Sequence, residues 1–123
     1  MHRVLSDLTG YLDDPRRRRG TGKAPNAVVL GGDFNCNLGF DLKQKNPSHE
    51  LVFARVAAFG LTPVLPVVAG SEHTTMTRGR IPHRQLDYLY TSDRVTVQDR
   101  GILSTPHLES RKDHLPVWVH LSL

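Results

Sequence analysis

The chain has 123 residues, 38% of them apolar and 7% aromatic, which suffices for one small domain with a hydrophobic core and argues against disorder throughout. No apolar run approaches the roughly 18 to 20 residues of a membrane span, and the first residues lack the apolar core of a secretory signal, so a soluble, intracellular protein is expected. The formal net charge of +4 leans toward polyanionic partners, the lone Cys36 excludes an internal disulfide and reads as a packing residue, and seven scattered histidines without a C-x-x-C or His-Glu-x-x-His pattern make no zinc site.

In chain order, Val4, Leu5, Leu8, Tyr11 and Leu12 recur at helical spacing, and Pro15 marks the end of that stripe. Residues 13–26 read as a basic exposed loop in which Arg16, Arg17, Arg18 and Arg19 are followed by Gly, Thr, Gly, Lys, Ala and Pro with no apolar period. A phosphate-binding P-loop fails there on glycine spacing and on Ala24 in the place of the metal-binding hydroxyl; a nucleic-acid contact stays open beside a plain solvated loop. The apolar run Ala27-Val28-Val29-Leu30 suits a strand buried on both faces, and Gly31-Gly32-Asp33-Phe34-Asn35 follows at its end. Residues two apart in an extended chain point the same way, so Asp33 and Asn35 would project a carboxylate and a carboxamide together, geometry fit to grip a phosphate and a water. The competing reading is that Asp-Phe-Asn opens a loop through local hydrogen bonds.

Asn46-Pro47-Ser48 reads as a helix start with Glu50 in the first turn, a buried stripe of Leu51, Val52, Val56 and Phe59, and Gly60 as the C-terminal cap. Residues 61–68 are apolar, but Pro63 and Pro66 confine them to an edge strand or an extended loop. His73-Thr74-Thr75 precedes a turn at Arg78-Gly79-Arg80, and residues 84–90 form a strand-like run rich in Leu and Tyr. Asp87 interrupts it; a buried carboxylate there requires a partner, and a surface-facing position is the alternative. Val95 and Val97 fit a short strand, Pro106 lies in a loop, and Lys112-Asp113-His114-Leu115-Pro116 leads into a terminal strand at 117–121. Asp113-His114 at its mouth offers a carboxylate for a hard cation and an imidazole that can donate near neutral pH.

Three of these stretches, Gly32-Asp33-Phe34-Asn35, Gln85-Leu86-Asp87-Tyr88 and Asp113-His114-Leu115-Pro116-Val117, together resemble the C-terminal half of the endonuclease/exonuclease/phosphatase superfamily. That is the fold of pancreatic deoxyribonuclease and the apurinic/apyrimidinic endonucleases, and the resemblance covers nearly the whole chain from Val28 onward. It implies an α+β fold in which residues 1–123 form a single domain, half of a four-layer α/β/β/α sandwich of mixed β-sheets with outer helices. It also implies hydrolysis of a phosphodiester by metal-assisted attack of water, with Mg²⁺ as cation and Mn²⁺ as its substitute. Asp33 would position or deprotonate the water, and Asn35 would donate to the non-bridging oxygens. His114 would contact the scissile phosphate, Asp87 would hold its ring in the useful tautomer, and Asp113 would belong to the metal site. Thr75 and Arg84 fall, with Asn35, among the implied substrate contacts.

The basic balance and Arg16 to Arg19 favour nucleic acid as the substrate, and Gly31-Gly32-Asp33-Phe34-Asn35-Cys36 also resembles endonuclease domains of retroelements. A phosphomonoesterase, a phospholipid or inositol phosphate phosphodiesterase, and a non-catalytic remnant that binds nucleic acid or a partner are the alternatives. Family members begin with a strand and loop that supply an Asn and a metal-binding Glu, and Glu50, Glu72 and Glu109 match neither context. The expectation is therefore half a sandwich with uncovered strands, prone to pair with a complementing N-terminal half or with itself, and a poor catalyst alone.

Overall fold

The computed structural model describes residues 27–38, 48–67, 74–75, 84–106 and 114–123. The helix expected over residues 4–12, the basic loop with Arg16 to Arg19, the turn at Arg78-Gly79-Arg80 and Asp113 lie outside the described residues. Within them, the elements run β1 (Val29–Asp33), α1 (Ser48–Ala57), β2 (Leu61–Pro63), β3 (Asp87–Ser92), β4 (Thr96–Ile102) and β5 (Val117–Ser122), an α+β set. One sheet has the order β1-β3-β2 and the other pairs β4 with β5; every pairing is antiparallel. None of the described helices is long and apolar enough to cross a membrane.

Alternation along β1 and β3 divides the first sheet into two unlike faces. Tyr88 and Tyr90 are buried on one face, where they meet Phe34 with ring centroids 5.6 Å away in each case; Phe53 from α1 stands edge-on to Tyr88 at 5.0 Å. Val52, Val56, Leu61 and the Cys36 thiol complete this core, and Val28 and Leu30 pack against it. The other face carries Val29, Gly31, Asp33, Asp87 and Leu89, and on β1 it is exposed, with Val29 at 49%. The apolar run is thus not buried on both faces. β1 is an outer strand of its sheet among the described residues, and the second sheet touches β3 through β5 instead of covering β1.

Helix α1 keeps Glu50 in its first turn and Arg55 in its last, matching the helix dipole at both ends. Its buried stripe differs from the expected one: Leu51 is 65% exposed, whereas Phe53 joins Val52 and Val56 inside. Both sets fit a helical period, and the aromatic slot beside Tyr88 selects the larger ring. Gly60 closes the helix at φ 73°, a left-handed conformation that suits glycine, and its N–H donates to the Ala57 carbonyl at 2.9 Å. Pro63 and Pro66 have the anticipated effect, since β2 is only three residues long and lies at a sheet edge.

The two core tyrosines differ in how their hydroxyls are served. Tyr88 Oη donates toward Gln85 O at 2.9 Å and Cys36 O at 3.0 Å, whereas Tyr90 Oη is buried without a hydrogen-bond partner. Burial pushes both phenols well above their ordinary range. Tyr88→Phe is therefore expected to cost about 1–3 kcal/mol in denaturant unfolding, and Tyr90→Phe to be neutral or stabilising. Because both folded-state values are raised, the tyrosine contribution is fully present below pH about 10 and is lost as pH rises above it. Stability curves from pH 8 to 12 should show a shallower alkaline fall in Tyr90→Phe than in the wild type.

Candidate active site

Asp33 ends β1 and Asp87 begins β3, and the ladder places them directly opposite each other. The bonds Phe34 N–H to Leu86 O (2.8 Å) and Ser92 N–H to Val28 O (3.0 Å) fix the phase of that ladder. By alternation, Asp33 and Asp87 form a non-hydrogen-bonded pair, the kind whose side chains stand closest, with Cβ atoms about 4.5–5.5 Å apart. Two carboxylates opposed in this way repel unless each has a positive or donating neighbour. Asp33 Oδ1 accepts the Asn35 backbone N–H at 2.8 Å, and Asp87 Oδ2 lies 2.9 Å from His114 Nδ1.

The Asp87 to His114 contact joins the two sheets, since His114 lies three residues before β5. The Asp87 side chain is 20% exposed and that of His114 39%, so the pair is sheltered without being sealed off. An ionised carboxylate only accepts, so His114 must carry its proton on Nδ1, which makes Nε2 the basic nitrogen of the neutral ring. A cleft of about 330 Å³ opens beside the pair, walled by Asp87, Leu89, His114, Pro116 and Val117 with Gly32 at its edge. Leu89 reaches into this region because its cross-strand partner is Gly31, where a Cβ would collide with the Leu89 Cδ2 methyl.

Thr74 and Thr75 tie together the stretches of backbone that carry Asp87 and His114. Their backbone N–H groups both donate to Arg84 O at 2.9 Å, the Thr74 carbonyl accepts the Leu115 N–H at 2.7 Å, and Thr75 forms an isolated bridge with His114. The Thr75 hydroxyl donates to Arg84 O at 2.9 Å and accepts the Arg84 N–H at 3.0 Å, so its hydrogen bonds serve the Arg84 backbone. Thr74 is fully buried, and its Oγ1 accepts the N–H groups of Leu86 at 2.9 Å and Asp87 at 3.0 Å. Nothing in the primary sequence marks Thr74 for this part, because its partners lie 12 and 13 residues away.

Of the residues singled out from sequence, Asp87 and His114 meet directly and line one cleft. Asp33 faces Asp87 across the ladder but does not line the cleft. Asn35 behaves otherwise than expected: the strand ends at Asp33, and Asn35 adopts φ 52° as its N–H folds back on the Asp33 carboxylate. Asp33 and Asn35 therefore belong to a local Asx-type turn and not to one face of an extended strand. Thr75 and Arg84 are joined through the Thr75 N–H and hydroxyl, both bonded to the Arg84 backbone. Among the described residues, no group of three or more His, Cys, Asp or Glu is arranged to hold a metal ion.

Comparison of the chain with protein-family models, with characterised proteins and with solved structures returns no match.

The turn at Asn35 separates conformation from chemistry. Asn35→Gly keeps access to the left-handed region and is expected to leave the unfolding midpoint nearly unchanged. Asn35→Ala keeps the Cβ but removes the short polar side chain whose local hydrogen bonding makes the left-handed region tolerable, and should cost about 1 kcal/mol. Chemical denaturation of the two variants checks the ordering, and equal stability would place Asn35 in another backbone conformation in solution.

Proposed function

We propose that this chain carries the catalytic end of a metal-dependent phosphodiesterase of the endonuclease/exonuclease/phosphatase type, acting on nucleic acid. The observation that carries the reading is the Asp87 to His114 hydrogen bond at a cleft between two sheets, with a second carboxylate, Asp33, opposite Asp87. Three motifs distant in sequence supply those three groups. The layering suits the same reading: α1 packs on one face of the first sheet and β5 touches β3, an order that a four-layer α/β/β/α sandwich would extend with a further helical layer.

In this reading Asp87 holds the imidazole with Nδ1–H toward itself, leaving Nε2 to take a proton from the attacking water or, when charged, to donate to a phosphate oxygen. Asp33, at the strand end, orients the water. Asn35 offers its carboxamide to a non-bridging oxygen from a turn that the Asp33 carboxylate itself stabilises. The donor set suits a hard cation such as Mg²⁺, which is held by one or two carboxylates and keeps several waters. Asp33 and Asp113 are the oxygen donors that would hold it. The cation would neutralise charge developing on the phosphate.

His114→Ala is expected to lower Mg²⁺-dependent nicking of plasmid DNA, or cleavage of RNA, by about 10²–10⁴-fold, and Asp87→Asn to lower it as well by releasing the ring. The assay is run on the chain alone and supplied with a first-half segment carrying the family's metal-binding glutamate. Cleavage unaffected by His114→Ala, or none under either condition, overturns the proposal.

Nucleic acid is the preferred substrate because of the basic balance and the arginine run at 16–19. Basic side chains that bind phosphate release counterions without reading bases. Replacing Arg16, Arg17, Arg18 and Arg19 with glutamine should therefore reduce the slope of log affinity against log salt by up to about 0.9 for each phosphate no longer neutralised. Fluorescence titrations at four or more salt concentrations measure it, and an unchanged slope removes the loop from the interface.

A further inference from the structure

Asp87 is the first residue of β3, where a strand would ordinarily fray, yet it must hold its carboxylate steady against His114. Its N–H points away from β1, because Asp33 and Asp87 form a non-hydrogen-bonded pair there. On the opposite side β2 ends too early to serve it: the last pairing is Pro63 with Tyr90, and Val64 N–H reaches only as far as Leu89 O. The Asp87 N–H would be left without an acceptor. Thr74 Oγ1 occupies that place at 3.0 Å and takes the Leu86 N–H at 2.9 Å as well.

The same residue also controls the other half of the pair. The Thr74 carbonyl accepts the N–H of Leu115, the residue after His114, at 2.7 Å. Thr74 is thus bonded through its hydroxyl to the backbone of Asp87 and through its carbonyl to the chain beside His114, and it is 0% exposed, so water cannot replace either bond.

We propose that Thr74 is the positioning residue of the Asp87–His114 pair: its buried hydroxyl supplies the acceptor that β2 stops short of providing and fixes where the Asp87 carboxylate meets the ring. The inference rests on the proposed role of that pair, but it concerns the geometry of the pair and not cleavage. It requires the oxygen specifically. Serine keeps the acceptor and loses a methyl; valine keeps the shape and strips both amides of their acceptor; cysteine keeps a packing atom but is a weak acceptor.

The test reads the His114 ring by long-range ¹H–¹⁵N NMR on the full chain at fixed pH, with its signals assigned by their loss in His114→Gln. Wild type and Thr74→Ser are expected to hold the neutral ring in the Nδ1–H tautomer. Thr74→Cys and Thr74→Val should convert most of it to the Nε2–H form while the Tyr88 and Tyr90 amide signals, which report the β1–β3 ladder, persist. A wild-type tautomer in Thr74→Cys or Thr74→Val, or a Thr74→Ser that switches as valine does, overturns the proposal. If Thr74→Val fails to fold, the serine and cysteine variants decide it. No substrate enters the measurement, so absence of cleavage leaves this result standing, and an active enzyme whose cysteine variant keeps its tautomer loses only this inference.

Discussion

The parity of the β1–β3 ladder is the constraint on which the site depends. Tyr88 and Tyr90 must both face α1 to pack with Phe34 and Phe53, and a strand's side chains alternate. Asp87 and Leu89 are consequently forced to the opposite face, toward β5 and the cleft. A slip of one residue would bury the carboxylate among aromatic rings and bring both tyrosines out, so the aromatic core sets the position of the polar site.

The polar side of this arrangement is satisfied group by group. Asp33 is met by the backbone of Asn35, Asp87 by His114, and the amides of Leu86 and Asp87 by Thr74. Opposed carboxylates in a sheet are a source of repulsion, and the donors aimed at each of them offset it. Around the site the pairing is less complete: Gln85 Nε2 and Tyr90 Oη are buried without partners, although the Gln85 carbonyl accepts from both Tyr88 Oη and Asn37 Nδ2. The backbone near 85–87 is thus held from several directions while one side-chain amide is left unsatisfied, and such groups lower stability without contributing to the pair.

The exposed face of β1 differs in kind from the core. Val29 lies 49% exposed on a strand at the side of its sheet, and Gly31, Gly32 and Asp33 beside it are exposed too. Among the described residues β1 is paired on one side only, and its Gly-Gly-Asp end offers little apolar area.

Local physics made a good part of this legible in the sequence. Helical period, first-turn acid and Gly60 marked α1; paired prolines kept β2 short; the Leu and Tyr run announced β3; and an acid in that run required a partner, which His114 supplies. Each signal acts over a few residues, so it survives in the order of the letters. The tertiary structure alone decided which helix face met the tyrosines, putting Phe53 in and Leu51 out, because two faces of similar period compete until a partner ring selects one. It alone turned Asn35 into the left-handed region, since a hydrogen bond to Asp33 outweighs the continuation of the strand. It alone brought Thr74 beneath Asp87, for a hydroxyl that caps an amide 13 residues further along leaves no period or motif to be read.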